Sequence, residues 1–189
     1  MPVETEIKLR FDDFDALRRA LTEAGATCSG CVTETNRFFD RPDGSLRAAE
    51  KGLRIRTVEA DDGSQRPSIV TYKGPSEPGP IRCRLEIELA VSDADAARDM
   101  LLATGFVEVL VYQKRRETWL LPPCRVELDE VPELGRFVEI EGPDRQAVAD
   151  VQQRLALDAA APVEPTYAAM MLDHIRTVNL SPPHVMLNR

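Results

Sequence analysis

The stretch VETEIKLRF, residues 3–11, places Glu4, Glu6, Lys8 and Arg10 at every second position, between Val3, Thr5, Ile7, Leu9 and Phe11. In a β-strand these two sets lie on opposite faces. One face can pack on a core, and the other offers two carboxylates beside two cations. The division recurs along the chain. Arg54 and Arg56 oppose Leu53 and Ile55, and Arg82, Arg84, Glu86 and Glu88 oppose Cys83, Leu85, Ile87 and Leu89. Lys114 and Arg116 share a parity, as do Arg125, Glu127 and Asp129, and as do Glu139 and Glu141. Lys73 continues the parity of Ile69 and Thr71.

A single such strand is ordinary, because antiparallel sheets commonly keep one dry and one wet face. A wet face usually mixes Thr, Ser, Gln and Lys, whereas these faces carry Arg and Glu almost alone. If the sheet closes, they line a lumen, where charges of both signs persist only by pairing or by binding something. Guanidinium forks match phosphate oxygens. Carboxylates repel phosphate unless a divalent cation stands between them, and Mg²⁺ and Mn²⁺ take oxygen ligands. The mixed lining predicts a metal together with a polyphosphate. No phosphate-cradling glycine loop, dinucleotide fingerprint, or Ser–His or Cys–His pair competes, since His174 and His184 lie in or beyond the last predicted helix.

The elements that must position these side chains follow from periodicity. Strands are predicted at 3–11, 35–40, 52–60, 68–74, 81–91, 107–121, 124–131 and 136–142. Helices are predicted at 12–26, 92–106, 143–157 and 165–175. Asp12 or Asp13 caps the first helix and Gly25 ends it; Ser92 with Asp95 resembles a capping box; Pro143 stands near the first position of the third. Hairpin-type turns join most strands, so the sheet should be largely antiparallel. The class is α+β, with one domain over residues 1–176 and a frayed tail over 177–189.

The 189 residues are 43% hydrophobic and 30% charged, enough for a real core. A net charge of -8 argues against nucleic acid as a partner. No apolar run approaches a membrane span and the N-terminus lacks a signal pattern, so the expectation is a cytoplasmic protein without a membrane partner. Cys28 and Cys31 form a C-x-x-C, CSGC, in what reads as loop. With no second pair or suitably spaced histidine, and with Cys83 and Cys124 standing alone, an incidental or structural role is expected, with a metal or redox role as the alternative.

ETEIK resembles the E-x-E-x-K signature of the CYTH superfamily, the triphosphate tunnel metalloenzymes. LRIR, TYKGP, RCRLEIE, QKRRETW, VELDEV and GRFVEIEG follow in that family's order, and the likeness spans residues 3–172. It implies a closed eight-stranded antiparallel β-barrel, a tunnel with helices packed outside. It implies Mg²⁺ or Mn²⁺ held by Glu4, Glu6, Glu139 and Glu141, with Asp129 assisting. It makes Lys8, Arg54, Arg56, Lys73, Arg84, Lys114 and Arg116 the phosphate-binding cations. Glu4, Glu6, Lys8, Lys73 and Arg116 would be central to catalysis. Glu86 and Glu88 would orient cations, and Arg115, of opposite parity, would point outward. Where the family often shows Ser-Tyr in its last helix, this chain has Thr166 and Tyr167.

The implied activity is metal-dependent hydrolysis of inorganic triphosphate, a nucleoside triphosphate or thiamine triphosphate. Alternatives are a class IV adenylyl cyclase, making cyclic AMP and pyrophosphate from ATP, and a module that binds polyphosphate without turnover. A closed barrel leaves no free edge that demands pairing, so the oligomeric state stays open, a homodimer included.

Overall fold

In the computed structural model, which describes residues 3–187, the alternation of the first strand becomes an inside and an outside. β1 (Val3–Arg10) buries Ile7 and Leu9 against helices while Glu6 and Lys8 face inward. β2 (Thr27–Asp40), β3 (Gly52–Ala60), β4 (Gln65–Ser76), β5 (Ile81–Val91), β6 (Val107–Leu121), β7 (Cys124–Val131) and β8 (Gly135–Gly142) complete the wall. They run in the order β2–β3–β4–β5–β1–β8–β7–β6, and β6 returns to β2 to close an antiparallel barrel of eight strands. A barrel of that number has an interior wide enough for side chains or one small ligand.

Four helices of ten residues or more lie outside the strands: α1 (Phe14–Glu23), α3 (Ala94–Ala103), α4 (Arg145–Arg154) and α5 (Tyr167–Val178). α1 and α4 cover the outer face of β1, β7 and β8, where Phe14, Leu17, Leu21, Val148 and Val151 meet Ile7, Leu9, Val126, Val138 and Ile140. α3 sets Ala97 and Leu101 against Phe39 and Ile55. α5 lies differently. Its Tyr167, Met171 and Ile175 pack on Tyr112, Val131 and Phe137, which share the inward parity of Lys114, Asp129 and Glu139. The inward rows thus turn from charged to apolar at one end of the barrel, and α5 seals them there.

Several expectations change. The second strand begins at Thr27, not 35, because it pairs with β6 along nearly its whole length and a bulge between Cys28 and Gly30 absorbs the CSGC segment. A short helix, α2 (Ser45–Ala48), forms where only a turn is predicted; the buried Asp40 carboxylate accepts from the backbone N–H groups of Arg41, Leu46 and Arg47 and holds it. Asp93, not Ser92, caps α3, and Asp144 caps α4 with Pro143 one residue outside it. The tail is not frayed over its described length: β9 (His184–Val185) adds in parallel to Val111 and Tyr112 of β6, and Val185 is buried against the α5 cluster. The outer face is also not wholly covered, since Val3, Ile87 and Leu89 remain exposed. Among the described residues no helix is long and apolar enough to cross a membrane.

Candidate active site

A cavity of about 1360 Å³ opens into the barrel, lined by the inward faces of the strands and by the start of α5. Strand register decides which charges meet. Glu4 stands opposite Arg84, and Glu6 opposite Arg82 on one side and Glu141 on the other. Both Glu4 oxygens accept from Lys73 Nζ at 2.9 Å, and Arg84 Nε reaches Glu4 Oε2 at 2.8 Å. Glu6 Oε1 accepts from Arg82 Nη2 at 2.8 Å and Arg84 Nη2 at 3.0 Å. Glu86 holds Lys73 from the far side at 2.7 Å. Burial alone would raise the Glu86 carboxyl, but Glu4 and Lys73 bring it below the usual range.

A second cluster centres on Asp129, which is fully buried. Arg116 donates from Nε at 2.7 Å and Nη2 at 2.5 Å, Lys114 Nζ at 2.9 Å and Tyr167 Oη at 3.0 Å. Arg116 also meets Glu127 and, at 2.5 Å, Glu139. Burial would raise Glu139, yet Arg116, Lys114 and Lys8 outweigh it and hold this carboxyl low. Its cross-strand neighbour Glu127 is pushed up to about 7 by burial, despite Arg116 and Arg125, with Asp129 adding to the rise. Lys8 donates to the Pro165 carbonyl and sits 4.4 Å from the Tyr167 ring centroid. Burial lowers its ammonium to about 8, against the pull of Glu139.

The third group is rich in positive charge. Arg56 reaches Glu34 and Glu88 only at 3.4 Å each. Arg54 donates to neutral partners, Asn36 Oδ1 at 3.2 Å and Thr71 Oγ1 at 3.5 Å. The Nε of each guanidinium is buried with no partner among the described residues. Burial and the adjacent Arg56 both lower Arg54. Buried polar groups are normally satisfied, so these cations have capacity for an anion.

Lys8, Arg54, Arg56, Lys73, Arg84, Lys114 and Arg116, expected from the family likeness to bind phosphate, all line this cavity. Glu86 contacts Lys73 and Glu88 contacts Arg56. Arg115 does point outward, to Asp61 at 2.9 Å. Asp129, expected to assist at a metal, has its oxygens occupied by Arg116, Lys114 and Tyr167 and has no exposure. Glu34, buried between Lys114 and Arg56, was hidden because its segment reads as loop; its parity with Asn36 and Phe38 is the signal that would have found it. Arg82 and Glu127 belong to the alternating faces but were given no role, and both sit inside the site.

Among the described residues no three Asp, Glu, His or Cys side chains converge as a metal would require. The donor chemistry still fits a hard divalent cation. Glu4, Glu6 and Glu141 crowd one wall: the Glu141 carboxyl is raised by burial and, against Arg125, by Glu4 and Glu6. Each of the three already meets a cation of the protein, Lys73 and Arg84 on Glu4, Arg82 and Arg84 on Glu6, and Arg125 on Glu141; their oxygen donors are of the kind that suits Mg²⁺ or Mn²⁺, which would share or displace those pairings.

Known proteins share this architecture. The PH1819 protein from Pyrococcus horikoshii superposes with a TM-score of 0.78 at 27% identity, covering 90% of this chain and 99% of its own. HpAC1 from Hippeastrum, whose structure is reported to reveal a dominant triphosphatase activity, has a TM-score of 0.70 at 17% identity, covering 95% and 98%; at that identity the likeness is one of fold. Adenylate cyclase CyaB of Aeromonas hydrophila is 34% identical over 170 residues, 83% of this chain and 82% of that protein. The model of the CYTH domain matches residues 2–164, which include all eight barrel strands, and the chain belongs to the CYTH domain family.

Proposed function

We propose that this chain is a metal-dependent phosphohydrolase acting on a triphosphate-containing molecule bound inside the barrel. The observation that carries this is the juxtaposition, across one cavity, of Arg54 and Arg56, whose Nε groups have no partner among the described residues, with a wall of carboxylates on which Glu141 is raised by burial and by Glu4 and Glu6. A polyanion would satisfy the guanidiniums, and a divalent cation would add positive charge to the carboxylate wall. Arg54, Arg56, Lys73, Arg84, Lys114, Arg116 and Lys8 bind the phosphate chain and hold it in one orientation. Glu4, Glu6, Glu139 and Glu141 would hold Mg²⁺ or Mn²⁺. Such an ion, when bound, neutralises phosphate charge and polarises water. Lys73 and Arg84 exchange part of their pairing with Glu4 for phosphate oxygens, which leaves Glu4 available as a ligand. Little covalent chemistry is required of the protein in phosphoryl transfer, in keeping with the lack of a nucleophile constellation.

The 34% identity to an adenylate cyclase supports a second reading, cyclisation of ATP by the same residues. The cavity exceeds the ~300–1,000 Å³ that drug-sized ligands fill, so volume does not restrict it to inorganic triphosphate. Incubation with tripolyphosphate, ATP and thiamine triphosphate, each with Mg²⁺ or Mn²⁺, decides. Free phosphate is the expected product. Cyclic AMP with pyrophosphate establishes the cyclase, and tight binding without product rejects both.

Two binding predictions belong to this site. Arg56→Ala weakens tripolyphosphate binding by about tenfold or more, the weight of one charge-assisted hydrogen bond, and weakens monophosphate binding less. Equal losses by calorimetry would remove Arg56 from the phosphate chain. The second concerns Lys8, with its ammonium near 8. The anion prefers the protonated form, so affinity is full below pH 8 and declines above it, by about tenfold between pH 7 and pH 9. Lys8→Arg, charged throughout, should flatten that decline in metal-free titrations; a decline of unchanged depth assigns it to another group.

A further inference from the structure

Cys28 and Cys31 take no part in the tunnel. Residues i and i+3 of a regular strand point to opposite faces, but β2 is not regular here. Cys28 pairs with Trp119, Gly30 with Thr118 and Cys31 with Glu117, so Ser29 and Gly30 together stand opposite one residue of β6. Gly30 adopts a φ of +110°, a conformation that side-chain-bearing residues rarely take, and a Cβ there would meet nothing within 4 Å. This is a β-bulge. Its consequence is that both thiols emerge on the outer face, opposite Trp119 and Glu117, which are two positions apart on β6. The bulge thus brings to one side of the wall two thiols that a regular strand would hold on opposite sides. Cys28 is exposed and Cys31 partly so. Arg115 Nε lies 3.1 Å from Cys31 Sγ, with its other arm on Asp61.

We propose that Cys28 and Cys31 form a reversible dithiol–disulfide couple on the outer wall of the barrel, exchanging with low-molecular-weight disulfides. The Cys28 thiolate attacks one sulfur of the small disulfide, breaks its S–S bond and releases one thiolate. Cys31 then ionises, its sulfur attacks the Cys28 sulfur, and the second small thiolate leaves. Two protein thiols are oxidised and one disulfide is reduced to two thiols, which take up the two protons released. Burial holds the Cys31 thiol up while Arg115 opposes this, which makes exposed Cys28 the attacking group and Arg115 the partner that stabilises charge on Cys31 as it reacts. Exposure of Cys28 leaves the bond open to attack by small thiols, which makes the couple reversible.

The test uses the full chain, whose four cysteines are free. The protein is equilibrated with mixtures of glutathione and its disulfide, acid-quenched, alkylated under denaturing conditions and mapped by peptide mass. The expected result is a fall from four alkylable thiols to two, with a linked Cys28–Cys31 peptide that dithiothreitol reopens. Cys31→Ser should trap glutathione on Cys28, whereas Cys28→Ser should leave Cys31 unmodified. Four persistent thiols, a lost pair mapping to Cys83 and Cys124, or wild-type protein carrying glutathione on Cys28 beside an alkylable Cys31 would each overturn the proposal. Glutathione on Cys31 in Cys28→Ser would overturn the assignment of Cys28 as attacking group.

Discussion

Glu4→Gln is expected to reduce kcat/KM by at least ~10²-fold, on the order of a lost preorganised electrostatic contact at a reacting centre, while the barrel stays folded. Glu4 has the cations Lys73 and Arg84 on it and Glu141 close enough to raise that neighbour's carboxyl. Gln keeps the shape and hydrogen-bonding capacity but removes the charge that holds a divalent cation. Glu6→Gln should lose as much activity. From the strand pattern alone these carboxylates have no packing duty, so neither change should touch stability. The structure corrects that: Glu6 is buried and carries Arg82 and Arg84. A cost of about 1–3 kcal/mol is expected for weakening such charged hydrogen bonds, and a chain of this length then melts several degrees lower. Rates and melting curves must therefore be measured together, below the variant's transition. Wild-type rates at saturating metal in folded Glu4→Gln protein would remove the metal-binding role.

Asp129→Asn should act the other way round, with stability as its primary effect. Lys114 and Arg116 both rest on this fully buried carboxylate, and Tyr167 ties α5 to it. Removing one partner of a buried ionic cluster costs about 3–5 kcal/mol, because the remaining charges stay buried without compensation. At roughly 2–4 °C per kcal/mol, the metal-free protein should melt roughly 6–20 °C lower. A residue whose main duty is to hold metal behaves differently: its loss shifts the metal-free melting curve less, as for Glu6→Gln, and is partly rescued by excess Mn²⁺. A shift under 2 °C in metal-free buffer, with rescue by Mn²⁺, would return Asp129 to the metal set.

The two carboxylates show where sequence reasoning ends. Glu139 and Asp129 alternate with apolar residues in the same way, and both faces point inward as the period of two requires. Their roles diverge because β6 sets Arg116 directly opposite Asp129 and α5 brings Tyr167 over it. Neither neighbour is close in the chain. Glu34 makes the same point from the other side. Its inward direction follows from parity once the strand is known, but the strand was obscured by CSGC, and its partner Lys114 is 80 positions away.

Face, sign and period were legible in the chain itself. A charged row recurring on most strands marks one ionic face, since side-chain direction in a strand is a local property of the backbone; that the face closes into a tunnel came from the likeness to the CYTH family. Which cation meets which carboxylate was decided only by tertiary structure. So were the apolar seal beneath α5, the docking of His184–Val185 and the bulge that turns Cys28 and Cys31 to one side. The physical reason is register: pairing across strands is fixed by the packing of the whole wall and by single inserted residues, and a shift of one position would exchange every inward side chain for its outward neighbour.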